Sequence, residues 1–348
     1  MANDVRKDAV KLSDQERGRF LEAFIRLKHK PASIAGGSAS VYDQFVALHQ
    51  AIMAVTVAGM TGTINMGHWN IGFCPWHREY LRRFELALQQ EVPGVTIPYW
   101  DWIDMEAANV RLFSNSFLGR LPGSSSPQPI TAGVLAYNGP NPRPAWWPNN
   151  AAGWRIHPAL QERGIVPSTA AAEVRATLHR AGDPQETWPP AQDGIRNLID
   201  VRNINSPVHD FWYFWRELEA GRSTHNTGHR FIGGHMAGAL SPNDPIFWLH
   251  HANVDRIWAS WQDKRGGNRR NGYPPSGSVS PFDGDPAPTG HNVEDIMWPW
   301  VGNTQGYGTM VPPAIQSLLI DYAGEPARRV KDVLDPGDLG ALGGYSYA

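Results

Sequence analysis

The sequence holds a single cysteine, Cys74, so it has no internal disulfide and no thiolate cluster for zinc or iron–sulfur. It also lacks an excess of charge. Lys and Arg number 31 against 33 Asp and Glu, a formal net charge of −2, which excludes the basic footprint of a nucleic-acid binder. Long apolar runs are missing. The longest uncharged apolar stretch, residues 51–60, is about half of the roughly 20 residues a spanning helix needs, so no membrane is expected as a partner. Residues 1–11 carry charges of both signs and no apolar core. They do not read as a secretory signal, and a cytoplasmic location is the simple expectation, with export by a partner or a removed leader left open.

Hydrophobic residues make up 41% of the 348 positions, enough for a large buried core and too many for a disordered chain. Ser13 and Glu16 form an S-x-x-E capping box ahead of Phe20, Ala23, Phe24 and Leu27, which predicts a first helix. A second starts near Ser40, with Tyr42, Phe45, His49, Ile52 and Met53 on one face. A third opens at Pro75 and carries His77, Leu81, Phe84 and Leu88. Prolines, glycines and asparagines crowd residues 120–190, which read as irregular loops with one short helix near 170–179. Helical signal returns over 210–219 and 225–232. The clearest helix follows Asp244-Pro245, with Phe247, His251, Val254, Trp258 and Trp261 on its stripe. Beyond residue 263 the chain is again rich in Gly and Pro, with one strand expected at 317–322. The expected architecture is mainly α: a four-helix bundle wrapped by long irregular loops with a few short strands, one domain over 1–348.

The histidines point to chemistry. Three predicted helices set one on the apolar stripe: His49, His77 and His251. A single such histidine is an ordinary core residue satisfied by a hydrogen bond. Three of them, joined by His225 and His229 one helical turn apart, form a metal-ligand pattern. His68, nine residues before His77, completes two groups of three along the chain. A zinc hydrolase would need the Glu of H-E-x-x-H, and Asn226 stands in its place. Di-iron and di-manganese bundles use Glu-x-x-His motifs, which none of these histidines occupies, and haem needs one or two axial histidines. Coordination by imidazole alone suits copper.

The surrounding motifs resemble a known family. His225-Asn-Thr-Gly-His229 followed by Ser241-Pro-Asn-Asp-Pro-Ile-Phe-Trp-Leu-His-His-Ala-Asn-Val-Asp-Arg-Ile-Trp258 is similar to the second copper site of the tyrosinases. Phe73-Cys-Pro-Trp-His-Arg-Glu-Tyr-Leu-Arg-Arg-Phe-Glu85 is similar to the first. Val5-Arg-Lys near the start and Tyr345-Ser346-Tyr347 at the end extend the likeness over nearly the whole chain. The resemblance implies a type-3 dicopper centre inside the bundle. It divides the single catalytic domain into a copper A motif (49–85), a Pro/Gly-rich loop region (104–200), a copper B motif (225–262) and a loop-rich segment ending at Tyr347.

Carried over residue by residue, the resemblance gives His49, His68 and His77 to the first copper and His225, His229 and His251 to the second. His250 is a rival for the last place, but His251 shares the stripe with Phe247 and Val254, which leaves His250 as a neighbouring polar or packing residue. Asp255, one turn past His251, either orients an imidazole or pairs with an arginine. Some relatives crosslink a cysteine two residues before the His68 position to that histidine; Met66 stands here, so no thioether forms. His235, in a Gly-Gly-His-Met turn, is either a polar contact near the pocket or a surface residue. Ala239 falls where some plant relatives hold a bulky aromatic over the second copper, which leaves the entrance open. Bacterial relatives hold a water between a Glu and the Asn after the first ligand of the second site. Asn226 matches that Asn, and Glu219 is the candidate Glu, its alternative being a helix-end surface carboxylate.

The activity so implied is oxidation of phenols by O2: ortho-hydroxylation of monophenols and two-electron oxidation of o-diphenols to o-quinones. One alternative is an oxidase restricted to o-diphenols or o-aminophenols. Another is a hemocyanin-like oxygen carrier, disfavoured because such carriers bring further domains over the centre and this sequence stops just after Tyr347. The implied cofactors are two copper ions, with O2 as co-substrate. The implied partners are a small phenol and a copper-delivery (caddie) protein.

Overall fold

The computed structural model describes residues 4–33, 39–121, 128–148, 151–161, 173–175, 196, 198–200, 210–220, 224–265, 273–278 and 292–348. Its main helices are α1 (Asp14–His29), α2 (Val41–Ile52), α3 (Phe73–Glu91), α4 (Asp210–Ala220), α5 (His225–Ile232) and α6 (Ile246–Asp263). Short strands β1 (Asp4–Arg6), β2 (Val55–Val57), β3 (Gln128–Pro129), β4 (Glu173–Arg175), β5 (Tyr307–Thr309) and β6 (Tyr345–Tyr347) pair two by two, as β1–β6, β2–β5 and β3–β4. No described helix is long and apolar enough to cross a membrane.

Local chemistry sets the helix starts. Ser13 caps α1 and Ser40 caps α2, each in a reciprocal box with the residue three positions on, Glu16 and Asp43. The α3 helix begins at Phe73, two residues before Pro75, because a first-turn N–H has no helical partner and its loss at Pro75 costs nothing. At α6, Pro245 takes the cap position, and the Asp244 carboxylate accepts from the Ile246 backbone N–H at 3.1 Å. The core seam joins α2, α3 and α6. The Phe84 and Trp248 rings stack with centroids 3.4 Å apart. The Tyr42 hydroxyl donates to the Pro242 carbonyl at 2.6 Å and accepts from the Trp248 indole N–H at 2.9 Å.

Two predicted elements are corrected. Residues 317–322 form a turn and irregular chain rather than a strand; the strand in this region is β5, followed by a single helical turn at Pro313–Gln316. Leu318 and Tyr322 are buried there as irregular packing residues, while β5 gains a ladder by pairing with β2. The helix expected at 170–179 is contradicted at Glu173–Arg175, which pair with β3 as a strand; the rest of that stretch lies outside the described residues.

The two ends of the described chain are bound to each other. Strands β1 and β6 pair in parallel, Asp4 with Tyr345 and Arg6 with Tyr347. Arg6, fully buried, donates from Nε and Nη2 to the Glu85 carboxylate on α3 at 2.9 and 3.1 Å. This knot ties the terminal strands to the helices that carry the histidines.

Candidate metal centre

Helices α2, α3, α5 and α6 turn their histidines toward one another at the centre of the fold. Two buried groups result: His49, His68 and His77, and His225, His229, His250 and His251, with the ligating atoms inside each group within 4.8 Å of one another. The groups adjoin. The rings of His77 and His251, one from each, stack in parallel with centroids 4.3 Å apart.

Hydrogen bonds fix which nitrogen of each ring is presented. The Nδ1–H of His49 donates to the Ala239 carbonyl at 2.7 Å, that of His77 to the Phe73 carbonyl at 2.9 Å and that of His229 to the Met236 carbonyl at 2.6 Å. His225 Nδ1 donates to the Asn226 side-chain oxygen at 2.9 Å. Each of these rings therefore carries its proton on Nδ1 and turns an Nε2 lone pair inward, the usual preparation of a metal-binding imidazole. The Nε2 atoms of His49 and His77 are buried without a partner among the described residues. Those of His225, His229 and His251 stand 2.9, 3.1 and 3.3 Å apart. Lone pairs facing one another so closely repel, whereas ligand nitrogens about 2.0 Å from one tetrahedral ion lie about 3.3 Å apart. The donor set fits a metal ion in each group.

His250 is different. Its Nδ1 accepts from the Trp102 indole N–H at 3.1 Å, so a neutral ring keeps its proton on Nε2 and has no lone pair left for metal. Phe247 packs against both groups, its ring centroid 4.9 Å from that of His49 and 4.2 Å from that of His251.

His68 sits on a loop, and the loop is built for it. The Asn65 side-chain oxygen accepts from the backbone N–H of Gly67 and His68 at 3.3 and 2.9 Å. The Asn70 amide donates to the His68 carbonyl at 3.2 Å, and its oxygen accepts from the Gly72 N–H at 2.7 Å. Met66 is buried, and Cys74 is a free, buried thiol. These asparagines fix the loop backbone that carries His68, and only their clustering around it could have signalled this in the sequence.

The remaining expected residues fall into place as follows. Asn226 and Ala239 line a cavity of about 320 Å³ whose floor is His49, His68, His225 and His229. Glu219 is buried behind that wall, not at a surface helix end; it accepts from the Trp69 backbone N–H at 2.8 Å and from the Trp215 indole N–H at 2.5 Å. Burial pushes its carboxyl up to about 8 against those two donors. Asp255 meets no imidazole. Its oxygens accept from Arg78 Nε at 2.5 Å, from Arg6 at 3.4 Å, from the Tyr347 hydroxyl at 2.5 Å and from the Tyr345 hydroxyl. The arginine pairing is thus the contact it makes. His235 is buried rather than on the surface.

Burial holds every imidazole of the centre below its ordinary value of 6.5, His229 down to about 4 and His49 to about 3. The sign of the resulting pH dependence follows from proton counting. Below pH 6.5 the unfolded chain binds more protons than the folded one, so stability is complete above that value and is lost as pH falls toward about 4 and then 3. Each ring removes up to about 1.4 kcal/mol per pH unit. Circular dichroism of metal-free protein is expected to show cooperative unfolding between about pH 6 and pH 4, and metal-loaded protein should resist to lower pH. Unchanged metal-free protein at pH 3 would contradict these ring environments.

Two adjoining all-histidine groups on a bundle of helices define a copper protein of the type-3 class. The chain belongs to the tyrosinase family, whose model, the common central domain of tyrosinase, matches residues 39–264. It is 34% identical to a tyrosinase of Streptomyces glaucescens over 302 residues, 85% of this chain and 92% of that protein. With grixazone synthase of Streptomyces griseus subsp. griseus it shares 30% over 276 residues, 74% of this chain and 84% of that one. A solved polyphenol oxidase of Thermothelomyces thermophila has the same fold, with a TM-score of 0.62 over 99% of this chain and 89% of that one at 20% identity.

Proposed function

We propose that this chain is a single-domain, copper-dependent phenol oxidase that hydroxylates monophenols ortho to their hydroxyl and oxidises o-diphenols to o-quinones. In this reading His49, His68 and His77 hold one copper, His225, His229 and His251 hold the second, and O2 is the oxidant. The observation that carries it is the convergence of these neutral, buried imidazoles in two adjoining groups, four of them on the floor of an open cavity that admits an aromatic ring. Copper bound there supplies activation of O2 and a two-electron oxidising capacity. The overall reactions balance: two catechols and O2 give two quinones and two waters, and one phenol and O2 give one quinone and one water.

The protein's own groups orient the phenol and move its proton. Carbonyls of Ala239, Phe73 and Met236 keep three rings in the ligating tautomer, and Phe247 packs against His49 and His251. A phenol has a pKa near 10, so hydroxylation at neutral pH calls for a base. Asn226 spends its side-chain oxygen on His225 and keeps its amide N–H groups for a water at the cavity wall. Glu219 has one N–H on each oxygen and retains lone pairs for that water.

Asn226→Ala or Glu219→Gln should therefore slow monophenol turnover by roughly 10-fold or more, with catechol oxidation changed much less, because a catechol is the more acidic substrate. Copper content is the control, since Asn226 also orients His225. Equal slowing of both substrates at full copper would remove the water-holding role. A wild-type protein that oxidises only o-diphenols or o-aminophenols would restrict the reading to those substrates.

A further inference from the structure

Trp69 follows His68 and stands apart from the other described tryptophans, which are buried or partly buried: the residue is 61% exposed. Its backbone φ is +59°, the one positive value among described residues other than glycine. Bulky side chains rarely adopt that region, and they persist in it only where the surroundings impose it. The surroundings here are specific. The buried Glu219 carboxylate accepts from the Trp69 N–H at 2.8 Å and is held on its other oxygen by Trp215, while Asn65 and Asn70 fix the backbone on either side. The left-handed turn keeps the ring out of the core, and the ring lines the cavity over the histidine floor.

We propose that Trp69 is a specificity-determining residue, an aromatic platform at the mouth of the site that selects phenols bearing an aromatic or other planar group para to the reacting hydroxyl. The inference rests on the phenol-oxidase reading for the direction of the substrate. A phenol whose oxygen points to the imidazoles directs its para substituent outward, toward the rim where the indole stands. A bare ring ends below that rim. A planar para group reaches it and gains an offset or edge-on ring contact, worth about 2–10-fold in affinity. Anchoring by Glu219 matters because a backbone already fixed in place confines the ordering cost on binding to the indole's own rotamers.

The test uses copper-loaded protein and two aromatic acids that are not oxidised, benzoate and biphenyl-4-carboxylate, titrated by calorimetry. In Trp69→Ala the dissociation constant of biphenyl-4-carboxylate should rise about 2–10-fold while that of benzoate and the copper content stay unchanged; Trp69→Phe should restore most of the difference. In turnover, KM for 4-phenylcatechol should rise in Trp69→Ala with little change in kcat, and catechol should be unaffected. Equal weakening of both probes, no weakening of either, or copper loss in both variants would overturn the proposal. If wild-type protein prefers the biphenyl probe yet oxidises no phenol, the platform stands and the oxidase reading falls.

Discussion

Replacing His77 or His251 by alanine should each remove one of two coppers and lower catechol oxidation by more than about 100-fold, beyond the 10–100-fold that loss of a ligand's outer partner typically costs. The size of the effect comes from three losses at once. Each substitution deletes a nitrogen that the fold has buried and oriented, His77 through the Phe73 carbonyl and His251 among the Nε2 atoms of His225 and His229. Each removes one face of the stacked His77–His251 pair that joins the two groups. Each also leaves the remaining imidazoles with too few donors to hold an ion in its site. His250→Ala is the internal contrast. Its Nδ1 is engaged by the Trp102 indole, so that variant should keep two coppers. Elemental analysis of dialysed, copper-loaded variants checks both, with circular dichroism reporting that each is folded. Copper lost from His250→Ala and retained in His251→Ala would exchange the roles of the adjacent histidines.

Asp255→Ala should cost about 3–5 kcal/mol of stability, the range for breaking a buried ion pair by removing one partner. Burial alone would raise the Asp255 carboxyl, but Arg78 and Arg6 with the two tyrosine hydroxyls hold it below its ordinary value. Its removal strands the charge of Arg78, whose other partners are the Gln262 side chain and the Val333 and Leu334 carbonyls and whose guanidinium lies over the Trp258 ring. It also releases the hydroxyls of Tyr345 and Tyr347 and so loosens strand β6 from the helices. Denaturant titration of copper-loaded protein measures the loss. A change under about 1 kcal/mol, as for exposed pairs, would mean that Glu85 and the carbonyls alone satisfy the two arginines.

Much of this was legible before any coordinates. Helical spacing set His49, His77 and His251 on apolar stripes, and the His225–His229 turn spacing placed two rings on one face, because helix geometry is local and periodic. The Ser13–Glu16 capping box located the start of α1 for the same reason, while the Ser40–Asp43 box of α2 emerged only with the structure. What stayed hidden is non-local or irregular. Nothing near Asp255 in sequence shows that Arg6, 249 residues away, lies against it. The Trp69 turn depends on Glu219, 150 residues on, and no propensity marks a tryptophan for positive φ. The expected strand at 317–322 failed because a short apolar run without a pairing partner gains no ladder, and β2 pairs with β5 instead.

The most direct test of the account is double integration of the electron paramagnetic resonance signal of fully loaded Cu(II) protein against its total copper. Two adjoining groups, with His77 and His251 stacked between them, place two ions close enough to couple. The predicted result is two coppers per chain with only a small fraction visible in the resonance. One copper per chain, or a signal accounting for all the copper present, would contradict the paired centre.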